Sequence, residues 1–373
     1  MKIVIVIPAY NEALNVGTLL DTIAEVIKAV PEHDIHALVV DGNSPDGTAE
    51  VVEKKSQTYP WVHLLKESGK RGIGAAYFSG FEYAMKELKA DAVVEMDADL
   101  QHDPKELPSL LAPLNQGFDY IIGSRFVRGG SIPKDWAFYR KFLSVGGSIF
   151  SKVVLGIYNV DDFTTGYKVS RVKGFLDKIN FSEVRTKGFA YKMELLFRTY
   201  KLGAKIKQVP ITFGLRDKGA SKMEGDNFLD SLLLVVTLRL NDNKEFFRFC
   251  AVGGLGFITD AAIFNILSIT SGSPKVSALI SGFIAMIVTF VFNNHWSFGA
   301  RKLVSLSTQL KSFPTYALLS MIPIIFRSAL VAYSVSLFGK NFFIYNGAFL
   351  LGVVIGLIWN FVVYSKIIWK KTN

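Results

Sequence analysis

The 373-residue sequence has one cysteine, Cys250. No intramolecular disulfide can staple the chain, and a lone thiol in an apolar stretch packs rather than reacts. Carboxylates nearly vanish from the last third: beyond residue 245, Asp260 stands alone against ten Lys and Arg. There is no secretory leader pattern either, because the apolar run of MKIVIVIPAY is short and meets Pro8, then polar Asn11 and Glu12. The net charge of +10 is therefore unevenly placed, since residues 1–245 carry 32 Lys+Arg against 31 Asp+Glu. A basic total can mark a nucleic-acid binder. Here the excess belongs to the hydrophobic part, which argues against nucleic acid and for membrane orientation.

What is present divides into two halves. Lys2–Ile7, Ile35–Val40, Val62–Leu65 and Ala92–Met96 read as strands, and Asn11–Val30, Asp46–Gln57 and Ile73–Leu88 have helical spacing. Such βαβ alternation predicts an α/β domain built on a mostly parallel sheet covered by helices. In that architecture ligands bind at the carboxyl ends of the strands. Three of those ends are polar: Pro8-Ala-Tyr-Asn-Glu12, Asp41-Gly-Asn-Ser-Pro-Asp46 and Asp97-Ala-Asp99.

The second half predicts an all-α four-helix transmembrane domain over 246–373. Apolar segments at about 249–270, 276–298, 313–338 and 342–365 are each long enough to cross ~30 Å of hydrocarbon. The connection at 299–312 holds Arg301, Lys302 and Lys311, and the tail holds Lys366, Lys370 and Lys371, whereas the other connections hold only Lys275 and Lys340. The positive-inside rule then puts the first domain and both termini on the cytosolic side of a multi-pass membrane protein, in the plasma membrane of a prokaryote or the endoplasmic reticulum of a eukaryote. Asp260 and Arg327 lie inside spans, and their cost predicts that they pair across the bundle. Two stretches, 136–158 and 226–245, mix apolar and basic residues as amphipathic helices at a membrane surface do. The first belongs to a cytosolic domain over 1–225; the second precedes the spans.

Asp97, Asp99 and Gln101 end an apolar strand with oxygen-bearing side chains at alternate positions. Close carboxylates repel one another. A hard dication such as Mg²⁺ or Mn²⁺ takes such ligands and completes its shell with phosphate oxygens. His102-Asp103-Pro104 follows, with the proline placed to open a helix.

Together, IVIPAYNEALNV, VVDGNSPDGT, KRGIGAAYFSGF, EMDADLQHDP, GSRF and TTGYKVSR resemble a family 2 glycosyltransferase with the GT-A (Rossmann-like) fold. Residues 1–225 resemble the dolichol-phosphate mannose synthases, including the late stretch VPITFGLRDKGASK. Residues 246–373 are similar to the GtrA-like membrane family, through FFRFCAVGGLGFITDAAIFNIL and NNHWSF. The resemblance implies that Pro8, Ala9, Tyr10, Glu12, Val40, Asp41 and Ala98 bind the nucleotide and that Asp97, Asp99 and Gln101 hold the metal. It further implies that Arg125 neutralises phosphate, that Arg140 and Ser144 receive the lipid phosphate, and that Arg216 and Lys222 close on the donor diphosphate. Asp99, Arg125, Arg140 and Arg216 are the catalytic candidates, and Asp161, Asp162 and Glu194 are candidates for shaping the sugar pocket.

The implied partners are GDP-mannose and a dolichyl or polyprenyl monophosphate, and the implied reaction inverts the anomeric centre to give a β-linked mannosyl phosphate. A largely ionised phosphate acceptor needs no general base, in keeping with the lack of an obvious His or Glu for that role. Two alternatives stand beside this expectation. One is a glucosyltransferase using UDP-glucose; the other, supported only by the charged spans, is a flippase or transporter of a lipid-linked sugar.

Overall fold

The computed structural model describes residues 1–133, 136, 138–184, 188–214, 227–271, 273–339 and 342–370. It forms two compact units, Met1–Arg239 and Leu240–Asn373.

The first unit is a seven-stranded sheet. In chain order it runs β1 (Lys2–Ala9), α1 (Ala13–Ile27), β2 (Asp34–Asp41), α2 (Thr48–Thr58), β3 (Val62–Lys66), α3 (Ile73–Lys86), β4 (Ala92–Glu95), α4 (Leu107–Asn115) and β5 (Tyr120–Ser124). Then come α5 (Phe138–Leu155), β6 (Lys168–Arg171), α6 (Tyr191–Lys201), β7 (Ile206–Pro210) and α7 (Asn227–Asp242). The spatial order is β3-β2-β1-β4-β6-β5-β7. Pairings among β1–β4 and between β5 and β7 are parallel, while β6 runs antiparallel between β4 and β5. The mostly parallel sheet is as expected from the sequence. The run before Asp97 is buried on both faces, with Val93 and Val94 in separate hydrophobic clusters, as strands covered on both sides are. Helix α3 crosses close to β1: a Cβ on Gly80 would sit 2.3 Å from Val6 Cγ1. No larger residue fits that contact without pushing helix from sheet.

The second unit holds α8 (Lys244–Ser271), α9 (Pro274–Phe292), a π-helical turn (Asn293–Ser297), α10 (Leu306–Phe338) and α11 (Phe342–Ile367). Four helices among the described residues are long and apolar enough to cross a membrane. Helices α8 and α10 start several residues earlier than the apolar runs suggest, because their first turns are polar. Asp260 and Arg327 do not pair. Asp260 accepts a hydrogen bond from Ser281 of α9 at 2.5 Å, and the Arg327 guanidinium lies 4.8 Å from the Phe349 ring of α11. Each charge is met by the helix adjacent in sequence, since helices joined by short connections pack as antiparallel neighbours. At one end, Asn294 Oδ1 accepts from the Leu303 amide at 2.8 Å and the Trp369 indole at 2.9 Å. Arg301 donates to Glu245 at 2.6 Å and to the Trp369 carbonyl at 2.7 Å. Around this polar knot pack Phe249, Phe290, Phe298, Tyr316, Tyr364 and Trp369.

Candidate active site

Strand register brings the polar ends together. Ala9 pairs with Asp41, and Val6 pairs with Glu95. Two residues beyond that last pair, the chain leaving β4 reaches Asp97 as the chain of β1 reaches Pro8. Val40 and Ala98 are buried backing. Past β1, Asn11 takes a positive φ of 55°, which turns the chain into α1 and lets its amide donate to Ser44 Oγ at 3.0 Å. Ser44 in turn donates to Asp41 Oδ1 at 2.5 Å. Glu12 donates its amide to Thr48 Oγ1 at 2.9 Å and accepts from Asn15 Nδ2 at 2.8 Å. Lys70 Nζ sits 5.4 Å from the centre of the Tyr10 ring. Pro8, Ala9, Tyr10, Glu12 and Asp41 thus lie together at the carboxyl ends of β1 and β2.

The turn after β4 is more heavily built. Tyr77, reaching from α3, donates to Asp97 Oδ1 at 2.9 Å; burial pushes the Tyr77 hydroxyl well above its ordinary range, so it stays a donor. The Asp97 amide donates to His102 Nδ1 at 3.1 Å, which leaves the ring proton on Nε2, where it has no partner among the described residues. Burial depresses His102 to about 4, against a rise from Asp97. Lys192 Nζ, from α6, lies 3.9 Å from Asp97 Oδ2. The space is kept by Gly166, whose added Cβ would come 2.4 Å from Lys192 Nζ, 3.0 Å from His102 Cε1 and 3.1 Å from Asp97 Oδ2. Asp99 Oδ1 accepts from the Gln101 amide at 3.2 Å, and Gln101 Nε2 donates to the Gly214 carbonyl at 3.1 Å. The amide oxygen of Gln101 is then its available metal-binding atom.

Arg125, at the end of β5, is nearly buried and already paired. It donates from Nε to Asp162 Oδ2 at 2.8 Å and from Nη2 to Asp162 Oδ1 at 2.7 Å and Thr164 Oγ1 at 2.5 Å. Burial would raise the Asp162 carboxyl; the Arg125 guanidinium and backbone amides outweigh it and hold Asp162 below the usual carboxylate range. Phe213 faces the Arg125 guanidinium at 5.4 Å. Ser144 of α5 lies 3.3 Å from Thr164 Oγ1, so it joins Arg125 through one hydroxyl. Arg140 is on the same helix, with its side chain outside the described residues, as are Arg216 and Lys222 entirely. Of the pocket-shaping candidates, Asp162 reaches the site, whereas Asp161 pairs with Lys152 at 2.7 Å and Glu194 with Arg198 at 2.8 Å.

Tyr77, His102, Lys192, Thr164 and Gly166 were not singled out from sequence. Their signals were present inside GIGAAYFSGF, LQHDP, TTGYK and AYKMELL, but only the fold shows that these segments converge. Beneath them lies a fully buried cross-strand pair, Glu95 of β4 opposite Lys168 of β6. Tyr191 donates to Glu95 Oε2 at 2.8 Å, and Lys168 Nζ donates to the Lys192 carbonyl at 3.1 Å. Desolvation raises Glu95 and lowers Lys168 to about 8. The pair ties the first turn of α6 to the sheet.

Two carboxylates and an amide oxygen from one turn suit a hard dication. No group of three or more His, Cys, Asp or Glu gathers as a metal cluster among the described residues. Substrate oxygens or water would have to complete the shell, as they usually do for Mg²⁺.

Comparisons with known proteins give the family of the chain. The profile described as "Glycosyl transferase family 2" matches residues 4–176, and "GtrA/DPMS, transmembrane domain" matches residues 248–369. The chain is 40% identical over 225 residues to an undecaprenyl-phosphate mannosyltransferase of Micrococcus luteus, covering 60% of this chain and 88% of that protein. It is 30% identical over 374 residues to a dolichol-phosphate mannosyltransferase of Pyrococcus furiosus, covering 99% of each. Among solved structures, a mannosyltransferase of Pyrobaculum calidifontis in complex with GDP-Man and Mn²⁺ aligns over 99% of this chain and 88% of that one at 16% identity and a TM-score of 0.40. With a relative 30% identical over 99% of both chains and both profiles matched along this chain, the chain belongs to the dolichol-phosphate mannosyltransferases, a family 2 glycosyltransferase domain joined to a GtrA/DPMS transmembrane domain.

Proposed function

We propose that this protein transfers mannose from GDP-mannose to a dolichyl or polyprenyl monophosphate, with inversion, at the cytosolic surface of a membrane. One observation carries the reading: Asp97 and Asp99 leave the central strand beside the two nucleotide-type strand ends, in a chain related over its whole length to a dolichol-phosphate mannosyltransferase. Asp41, Glu12 and Tyr10 would hold the nucleoside end of the donor. Asp97, Asp99 and Gln101 would hold Mg²⁺ or Mn²⁺. When bound, the ion supplies charge stabilisation to the diphosphate leaving group.

The reaction breaks the bond between the anomeric carbon and the diphosphate oxygen and forms one from that carbon to a lipid phosphate oxygen. GDP leaves with the electron pair. The acceptor oxygen is already anionic, so no side chain has to take a proton. Arg125, held rigid by Asp162 and Thr164, presents a fixed donor face without reorganising. Arg216 and Lys222 would close on the donor diphosphate, and Arg140 with Ser144 would meet the lipid phosphate.

Two exposed apolar stripes support an acceptor held at the membrane surface. On α5, Phe142, Val145, Ile149 and Val153 repeat at helical spacing on the exposed side; on α7, Leu229, Leu233 and Val236 do the same. Such exposed stripes, next to Lys141 and Lys152, suit helices lying in a headgroup layer. A lipid phosphate held there could meet Ser144 without its tail leaving the bilayer.

The test is transfer of labelled sugar into lipid by the full-length protein in vesicles containing polyprenyl phosphate. Incorporation from GDP-mannose is expected, with chelation or Asp99→Ala lowering the rate by roughly 10²–10³-fold, the size seen when a principal stabiliser of developing charge is removed. Transfer from UDP-glucose alone would refute the donor assignment. Full activity without dications would refute the metal site.

A further inference from the structure

Lys192 stands in an unfavourable place. Its side chain is only 5% exposed. It occupies the first turn of α6, where the helix dipole is positive and a cation is disfavoured. Among the described residues its ammonium makes no hydrogen bond; its neighbours are Asp97 Oδ2 at 3.9 Å and the Phe189 ring at 5.3 Å. A nearly buried ammonium with unused donors is costly unless a partner arrives. Its position is also enforced. Lys168 Nζ holds the Lys192 carbonyl and Tyr191 is anchored on Glu95, so the polar pair buried under the sheet delivers Lys192 to the acidic turn. Gly166 keeps the room for it, since any Cβ there would displace the ammonium.

We infer that Lys192 is a substrate-binding residue: it balances Asp97 while the acidic turn holds no ion, and it moves to an anionic phosphate oxygen of the substrate once a dication takes over Asp97. This rests on the metal reading proposed above. The same ammonium thus opposes the bare ion and favours the ion together with a phosphate. That coupling makes metal and phosphate enter as one unit, because a like charge nearby weakens the first while an opposite charge strengthens the second.

The experiment uses the full-length protein and Mn²⁺ alone, followed by the paramagnetic resonance signal of the free ion. Lys192→Gln is expected to bind Mn²⁺ roughly ten-fold more tightly than the wild type, as removal of a nearby like charge should allow. Lys192→Arg should stay near wild type, and Lys192→Met, which keeps the packed stem, should repeat the result if glutamine disturbs the fold. With Mn²⁺ saturating, Lys192→Gln should bind GDP roughly ten-fold more weakly if the oxygen belongs to the donor diphosphate. If GDP binding is unchanged, the KM for a short-chain isoprenyl phosphate should rise instead, assigning the oxygen to the acceptor. No Mn²⁺ binding by the wild type would overturn both this inference and the metal site. Binding by the wild type that is lost in Asp99→Ala yet unchanged or weakened in Lys192→Gln would overturn the inference alone, as would a variant with neither phosphate effect.

Discussion

The two units solve the problem of buried polarity in different ways. The sheet unit buries charges and matches them: Arg125 with Asp162 at 2.7 Å, Glu95 across from Lys168, and Lys192 beside Asp97. The helical unit buries mostly neutral groups, with Asn293, Asn294, Ser277, Ser281 and Ser297 inside, and keeps Arg301 at one end on Glu245. The difference follows from solvent. Charge pairs close to water and substrate can be re-paired during a reaction. In a hydrocarbon layer an unmatched charge has no aqueous refuge, so amides and hydroxyls carry the specificity at lower cost. Asp260 and Arg327 are the exceptions, met by the Ser281 hydroxyl and the Phe349 ring.

The contrast is sharpest at Asp162. Asp162→Ala leaves the Arg125 guanidinium buried without its partner and should cost about 3–5 kcal/mol, the usual penalty for half of a buried pair. Thermal unfolding of the sheet unit, followed by hydrogen exchange at β5 and β6 in the full-length protein, measures it. An effect below about 1 kcal/mol would mean that the pair is solvated in solution.

Acid probes the same unit through His102. Its folded value is lowered to about 4 from the ordinary 6.5. The unfolded chain therefore takes up a proton that the folded one refuses. Stability from this group is fully present above about pH 6.5 and is lost as pH falls toward 4, up to about 3 kcal/mol. Exchange at the Asp97 amide, which bonds His102 Nδ1, should accelerate over that window after correction for intrinsic rates. His102→Gln should flatten the dependence.

A neutral knot should fail more gently. Asn294→Ala strands the Leu303 amide and the Trp369 indole and is expected to cost about 1–3 kcal/mol, read as a lower denaturation midpoint of the helical unit in mixed micelles. Smallest is Ser281→Ala, which removes the hydroxyl from Asp260 and should cost about 0.6 kcal/mol, the mean found for such bonds between membrane helices. A loss as large as that at Asp162 would erase the distinction between the units.

Some of this was legible along the chain. Alternation of β-branched runs with amphipathic stretches announced β1–β4, and the polar residues terminating those runs announced Asp41, Asp97 and Asp99. Apolar length announced the spans. Strand β6 was not legible: its four residues begin with Lys168, which reads as a surface charge until Glu95 is placed opposite. Lys192 was hidden in the same way, because a lysine inside AYKMELLFR looks like the wet face of a helix. The partner of Asp260 is not legible, because the chain shows that a charge inside a span needs a partner but not which of several helices supplies it.

Local pattern, therefore, determined by itself where strands end, which side chains could bind a cation, and which segments belong in a bilayer, since each depends on neighbours a few residues away. Only the tertiary structure decided which charges meet. Asp97 and His102, from one turn, come together with Gly166 and Lys192, three segments in all, and the energy of a buried charge is set by contacts a few ångströms away in space, which sequence distance does not encode.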